Sequence, residues 1–157
     1  MKIIFCVPGR NFSNNFLTSW TKLLKYCHKN GIEAELSSGY TSIVHLARYT
    51  CLGINPQSDC DPCLNPFGEE IDYDYLMWID SDMNFPVDTL NILLAADKDI
   101  VAGNYSTRVP PHRPVAFRSK NNLDDRVFTG TGIEKVWAVG SGMMLVKREV
   151  YKKLSSP

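Results

Sequence analysis

Two carboxylates two residues apart, Asp80 and Asp82, stand at the end of an apolar run in the segment Tyr73–Pro86, YDYLMWIDSDMNFP. Tyr75–Ile79 has the length and composition of a buried strand, and Asn84, Phe85 and Pro86 break it. Alternate residues of an extended chain share a face, so a strand that stops at Asp80-Ser81-Asp82 offers two hard oxygen ligands on one side. That donor set suits Mg or Mn, which keep some waters and complete their shell from a substrate phosphate. Asp pairs also occupy plain surface turns. The strand that delivers this pair, and the segments that follow it, favour the metal reading.

The five cysteines, Cys6, Cys27, Cys51, Cys60 and Cys63, are the other residues with metal or redox chemistry. An odd count without an export signal predicts thiols rather than disulfides. Cys6 falls in a strand and Cys27 on an apolar helix face, where each serves as a small core residue. Cys60-Asp61-Pro62-Cys63 has the spacing of half a zinc knuckle, with Cys51 or His45 as a third ligand, but a second CxxC or HxxxH half is missing. A reduced loop pair is the expectation.

The elements that must position the carboxylates read as strand, helix, strand, helix, strand. Lys2–Val7 is a buried strand ended by Pro8-Gly9. Asn14–Lys29 carries Phe16, Trp20, Leu23, Leu24 and Cys27 at helical spacing before Asn30-Gly31. Glu33–Ser37 is a second strand, and Thr41–Leu52 a second helix capped by Thr41 or Ser42. This βαβαβ opening predicts an α/β domain with ligands at the carboxyl ends of the strands. Gly53–Asp72, rich in Pro, Asn, Asp and Gly, reads as a surface insertion running away from the cleft. Beyond the DSD strand, Pro86 is placed to open a helix. Asp99–Asn104 follows as a buried strand, Val115–Phe117 as an edge strand, and Ile133–Val139 and Met143–Val146 as two further strands. Lys147–Leu154 is a final helix.

The 157 residues predict one domain, 1–157, that buries roughly two-thirds of its unfolded surface. A hydrophobic content of 44% excludes disorder, and seventeen Lys plus Arg against seventeen Asp plus Glu exclude bulk attraction to nucleic acid or an anionic membrane. No apolar run approaches the ~20 residues of a membrane span, and Met1-Lys2 leads into a strand rather than a signal peptide. A cytoplasmic location is expected, in a host cell if the chain is virus-encoded.

Five segments recur together in one known family: VPGR after the first strand, LARY in the second helix, YDYLMWIDSDMNFP, DIVAGNYSTRVPPHRPVAF, and VWAVGSGMMLVKREVYKKL. In this order they resemble the nucleotide-sugar glycosyltransferases of the GT-A fold, above all the small GT-A-like proteins of phage and other viral genomes. The resemblance implies a Rossmann-like, mostly parallel sheet flanked by helices, with the C-terminal part of the fold short or truncated. It implies a metal-dependent transferase, or its donor-binding core, that moves a sugar from a nucleoside diphosphate sugar to an unknown acceptor. Asp80 and Asp82 become the DxD motif, with Asp82 on Mn or Mg and Asp80 on the ribose or on a metal-bound water. Pro8, Gly9 and Arg10 fall where the nucleoside is held. Arg48 falls near the nucleotide, although Tyr49 follows where relatives carry Asn. Gly140, Ser141 and Gly142 flank the donor sugar.

Each of these residues also has a plainer reading. Pro8-Gly9 makes a turn, Arg48 an ion pair on a helix surface, and Gly140 and Gly142 a β-bulge. Arg108, His112 and Arg113 make a solvated loop, one of them a candidate phosphate contact, while Trp20, Trp78 and Trp137 fill the core. A further metal ligand and a catalytic base are not found after Gly142, where Glu149 is the sole acid and lies on a charged helix. The catalytic residues stay unassigned, and slow donor hydrolysis is the most activity expected. The competing readings are a non-catalytic nucleotide-sugar-binding module, a sugar-phosphate nucleotidyltransferase for which VPGRNFSNN is a poor triphosphate loop, and a zinc-stabilised interaction domain.

Overall fold

A computed structural model describes residues 1–54, 66–127 and 132–155. Ile3–Val7 are fully buried on both faces, as an apolar strand must be when helices cover the sheet on either side. This strand, β1 (Lys2–Pro8), is followed by α1 (Asn14–Lys29), β2 (Glu33–Gly39) and α2 (Val44–Cys51). After a 3-10 turn at Pro66–Glu69 come β3 (Tyr75–Ile79), α3 (Thr89–Ala95), β4 (Ile100–Ala102), β5 (Ala116–Phe117), β6 (Ala138–Val139), β7 (Met143–Lys147) and α4 (Arg148–Ser155). No helix among the described residues is long and apolar enough to cross a membrane.

The fold is α/β, as the opening pattern predicts, with a mixed five-stranded sheet in the order β2-β1-β3-β7-β4. β1 runs parallel to both β2 and β3, whereas β7 runs antiparallel to both β3 and β4. Two neighbouring pairs are therefore parallel and two antiparallel, so the sheet is mixed rather than mostly parallel by its pairings. β5 and β6 form a separate antiparallel pair.

Strand alternation divides the core into two layers. Ile3, Phe5, Val7, Met77, Ile79 and Leu145 pack on Phe16, Leu23 and Cys27 of α1 and on Leu90 and Leu93 of α3. Ile4, Cys6, Leu76, Trp78 and Val146 pack on Cys51, Leu52 and Tyr73. α1 has its expected bounds because both ends carry local signals. Ser13 Oγ accepts from the Phe16 N–H at 3.0 Å, and Gly31 leaves the helix at φ 64°.

Several elements differ from expectation for identifiable reasons. Thr41 does not cap α2. Its hydroxyl accepts from the Ile43 N–H and donates to the Ile43 carbonyl, a local turn that delays the helix to Val44. Pro86 lies in a turn, and α3 starts at Thr89 with Asp88 before it. β4 is an edge strand with Ile100 exposed, not a buried one. The strand expected over Ile133–Val139 shrinks to two residues, and Trp137 is 52% exposed rather than core.

Of the expected insertion, Cys60 and Cys63 lie outside the described residues. Its described ends are packed. The Phe67 N–H donates to the Leu52 carbonyl at 2.8 Å, and Ile54, Phe67 and Ile71 lie against the second core layer.

Candidate functional site

β1 and β3 are adjacent and parallel, with Cys6 opposite Trp78, so Pro8-Gly9 and Asp80-Ser81 leave the sheet at the same end. β7 starts at that end because it runs the other way, with Met143 opposite Ile79. The loop Gly140-Ser141-Gly142 is thereby delivered to the DSD turn, and the Asp80 N–H donates to the Gly142 carbonyl at 2.9 Å.

Arg48 reaches the same point from α2. Its Nη2 lies 2.8 Å from Asp80 Oδ1, and Nη1 donates to the Ser141 carbonyl at 3.5 Å. The guanidinium also covers the Trp78 ring, with Cζ 5.2 Å from the centroid. The Arg48 and Asp80 side chains are 21% and 36% exposed, so this pair is more than a solvated contact. The plain reading of Arg48 as an ion-pair residue and the site reading coincide, because its partner is the first carboxylate of the motif.

Gly9 is required by close approach. Its φ is 152°, and a Cβ there would stand 2.2 Å from Ser81 Oγ. Its N–H donates to the Gly39 carbonyl at 3.0 Å, and Pro8 pairs with Gly39 in the sheet. Ser81, which the sequence did not single out, thus sits against the loop after β1, and its carbonyl also accepts from the Ser13 N–H at 3.4 Å. Arg10 holds its guanidinium over the Tyr40 ring at 5.7 Å.

Asp82 forms an ion pair with Arg108 from the loop that follows β4, and both side chains are well exposed, at 48% and 74%. That loop is tied across its neck. The Thr107 N–H donates to the Arg113 carbonyl at 2.8 Å, and the Arg113 N–H to Thr107 Oγ1 at 3.0 Å. His112 Nδ1 lies 2.9 Å from the Thr107 carbonyl and Arg113 pairs with Asp124 at 3.7 Å, so Arg108 is the member of the basic trio that meets the DSD turn.

Tyr105, at the start of the same loop, is a second residue the sequence reading passed over. Its hydroxyl accepts from the Gly142 N–H at 2.9 Å. Its position inside GNYSTR, one of the segments that carries the resemblance, was the available signal.

Asp80 and Asp82 supply hard oxygen donors, and the half-exposed Asp82 leaves room for waters and phosphate oxygens, so the pair fits Mg or Mn. Among the described residues no group of three His, Cys, Asp or Glu side chains gathers as a metal cage. A cation here would depend on its substrate for part of its shell. Cys6 of β1 and Cys51 at the end of α2 are buried in the second core layer, and burial pushes the Cys51 thiol up to about 11 and that of Cys6 well above its ordinary value. Both stay protonated and are unsuited to nucleophilic work.

Glu149 belongs to the other end of the molecule. β7 carries the chain from Met143, opposite Ile79, to Lys147, opposite Tyr75, so α4 begins at the opposite end of the strands from the DSD turn. There Glu149 pairs with Lys152 at 2.6 Å, which holds its carboxyl below the usual range. An open cavity of about 510 Å³, lined by Lys2, Glu33, Glu35 and Asp74, also lies at that far end. Lys2 already bridges Glu33 and Glu35 there, at 3.2 and 2.8 Å.

Comparison with protein-family models and with curated protein sequences gives no match for this chain.

Proposed function

We propose that this chain is the donor-binding core of a metal-dependent glycosyltransferase of the GT-A type, acting on a nucleoside diphosphate sugar. The observation that supports it is convergence. The loop after β1, the DSD turn after β3, Arg48 of α2 and the Gly140–Gly142 loop meet at one end of the sheet, where α/β proteins bind ligands. Asp82, with Asp80, would hold Mn or Mg, and the bound cation would offset the charge that develops on a departing diphosphate. Arg48 fixes the Asp80 carboxylate by occupying Oδ1. Gly9 lets the backbone after β1 lie directly on the DSD turn. Arg108 places a second positive charge beside Asp82, within reach of an anionic ligand.

A non-catalytic nucleotide-sugar-binding module is the second reading. It is favoured by the position of Glu149 across the sheet from the DSD turn, which leaves proton transfer from an acceptor without that acid.

Calorimetric titration of uridine and guanosine diphosphates, with Mn and with chelator, tests the proposal in the unaltered chain and in Asp82→Ala. Binding that needs both Mn and Asp82 is expected. Equal binding in all four conditions would sink the metal site. Released nucleotide and glycosylated product, measured over a panel of donors and acceptors, separate enzyme from binding module.

A further inference from the structure

β2 is the long edge of the sheet, and nothing in its sequence blunts it. It runs in unbroken register with β1 from Glu33 to Gly39, without the proline, lysine or bulge that commonly keeps an edge from pairing again. The opposite edge, β4, is protected by being only three residues long. Two bonds fix which backbone groups of β2 face outward. The Glu33 N–H donates to the Met1 carbonyl at 3.0 Å, and the Gly39 carbonyl accepts from the Gly9 N–H at 3.0 Å, so the odd-numbered residues turn toward β1. The N–H and C=O groups of Ala34, Leu36 and Ser38 therefore point away from the sheet. Among the described residues no hydrogen-bond partner reaches them.

The same edge is apolar on one face. Leu36 stands opposite Phe5, on the face that α1 covers, and is 52% exposed. Trp20 of α1 meets the Phe5 ring edge-on at 5.3 Å, which brings this helix beside Leu36. Ser19 and Tyr26 turn one flank of α1 toward α3 and the turn before it, through bonds to Asn84 at 3.1 Å and Asn91 at 3.2 Å. At about 100° per residue, Leu17, Trp20 and Leu24 share the other flank, the one toward β2, where Leu17 and Leu24 are exposed.

We infer that β2 pairs with β2 of a second copy of this chain, antiparallel and across a twofold axis at Leu36, to make one continuous sheet. The register centred on Leu36 bonds all three outward residues to one another, Leu36 to its own copy and Ala34 to Ser38. It sets Glu33 opposite Gly39 and Glu35 opposite Ser37, so no carboxylate faces its like, whereas a register centred on Glu35 would oppose two. Lys2 holds both carboxylates within their own chain, and a foreign strand is not required, because the edge is complementary to itself. The axis stands perpendicular to the sheet and keeps the two α1 helices on one face. Three strand spacings, roughly 14 Å, separate the two β1 strands, and helices roughly 10–12 Å across leave a seam that Leu17, Leu24 and Leu36 of both copies fill. The two DSD turns then lie at opposite ends of the joined sheet, and the pairing does not rest on the proposed function.

Sedimentation equilibrium, with a thiol reductant and up to about 1 mM chain, should give a mass that rises from one chain to two and stops there. Amide exchange on the same samples should show the N–H groups of Ala34, Leu36 and Ser38 gaining at least about 10-fold protection on association, while those of Glu35 and Ser37, turned toward β1, stay level. Leu36→Lys sets two ammonium groups against each other at the axis, and Leu24→Lys charges the helix seam; each should weaken association at least about 10-fold. Ile100→Lys, on the opposite edge, should leave it unchanged. A chain that stays monomeric at the highest concentration, growth beyond two chains, a dimer that Leu36→Lys leaves intact, or one that Ile100→Lys dissociates would each overturn the inference. So would association without protection of those three amides, a readout on the unaltered chain that decides the matter even if a variant fails to fold.

Discussion

Replacing Arg48 by Met separates what this side chain does for the fold from what it does for the carboxylates. Met keeps an unbranched apolar stem against the Trp78 ring and removes the charge. The lost interactions are one charge-assisted hydrogen bond to Asp80, worth ~1.5–3 kcal/mol at most, a cation–π contact of ~0.5–2 kcal/mol, and the long 3.5 Å bond to the Ser141 carbonyl, which adds little. Asp80 is a little over one-third exposed and rehydrates when its partner leaves, which removes much of the first figure. Sulfur on the indole replaces part of the second. The net cost is about 1–2 kcal/mol, or a fall of roughly 2–8 °C in Tm for a domain of this size.

Metal affinity should move the other way. A positive charge ~4 Å from a divalent cation opposes it by about 2 kcal/mol even in water, so Arg48→Met is expected to bind Mn roughly 30-fold more tightly in the absence of nucleotide. Urea unfolding and Mn titration on the same preparation read both effects. Unchanged stability would show that the pair contributes nothing to the fold. Mn affinity that stays level or falls in the variant would refute the placement of the cation beside Asp80.

Gly9→Ala should destabilise by about 1–3 kcal/mol, since its Cβ meets Ser81 Oγ at a φ of 152°, and Gly9→Ala with Ser81→Gly should recover part of that loss in urea unfolding. Asp82→Ala should leave the unfolding free energy from urea titration within about 0.5 kcal/mol of the unaltered chain, because its pair with Arg108 is solvent-exposed. A larger change would make the contact a structural clasp. Burial raises the Cys51 thiol from 9.0 to about 11, so above pH 9.0 the unfolded chain releases this proton before the folded one does. Stability is then fully present below that value and declines as pH rises toward about 11. Cys51→Ala should show a shallower decline across that window in pH-dependent urea unfolding, and an identical slope would refute the assignment.

The strands and the first helix were legible because their signals are local. Ile3–Val7 and Leu76–Ile79 are continuous apolar runs, and Ser13 and Gly31 mark the helix between the first two strands. Errors arose where a side chain competes with the backbone, as Thr41 does before α2, or where composition hides a few apolar residues. The Pro- and Asp-rich stretch before β3 reads as loop, yet Phe67, Ile71 and Tyr73 anchor its end to the core. Of the candidate site, the DSD turn and the Gly140–Gly142 loop were visible as motifs. Their partners were not, because the contacts of Arg108 with Asp82 and of Tyr105 with Gly142 join residues distant in sequence. No periodicity encodes a contact of that kind.

The reversed strand has a consequence for biosynthesis. Met143–Lys147 separates β3 from β4 and is the partner through which β4 joins the sheet, yet it leaves the ribosome after both. At ~5–20 residues per second, the nascent chain carries β3 for several seconds with one edge unpaired. That edge belongs to the apolar stretch Leu76–Ile79, a template for association with other chains until its last neighbour arrives. Folding of the β1–β2–β3 half can begin early, but closure of the sheet waits for β7. Yield in the cell should therefore depend on chaperone capacity and synthesis rate more than the stability of the finished domain would suggest.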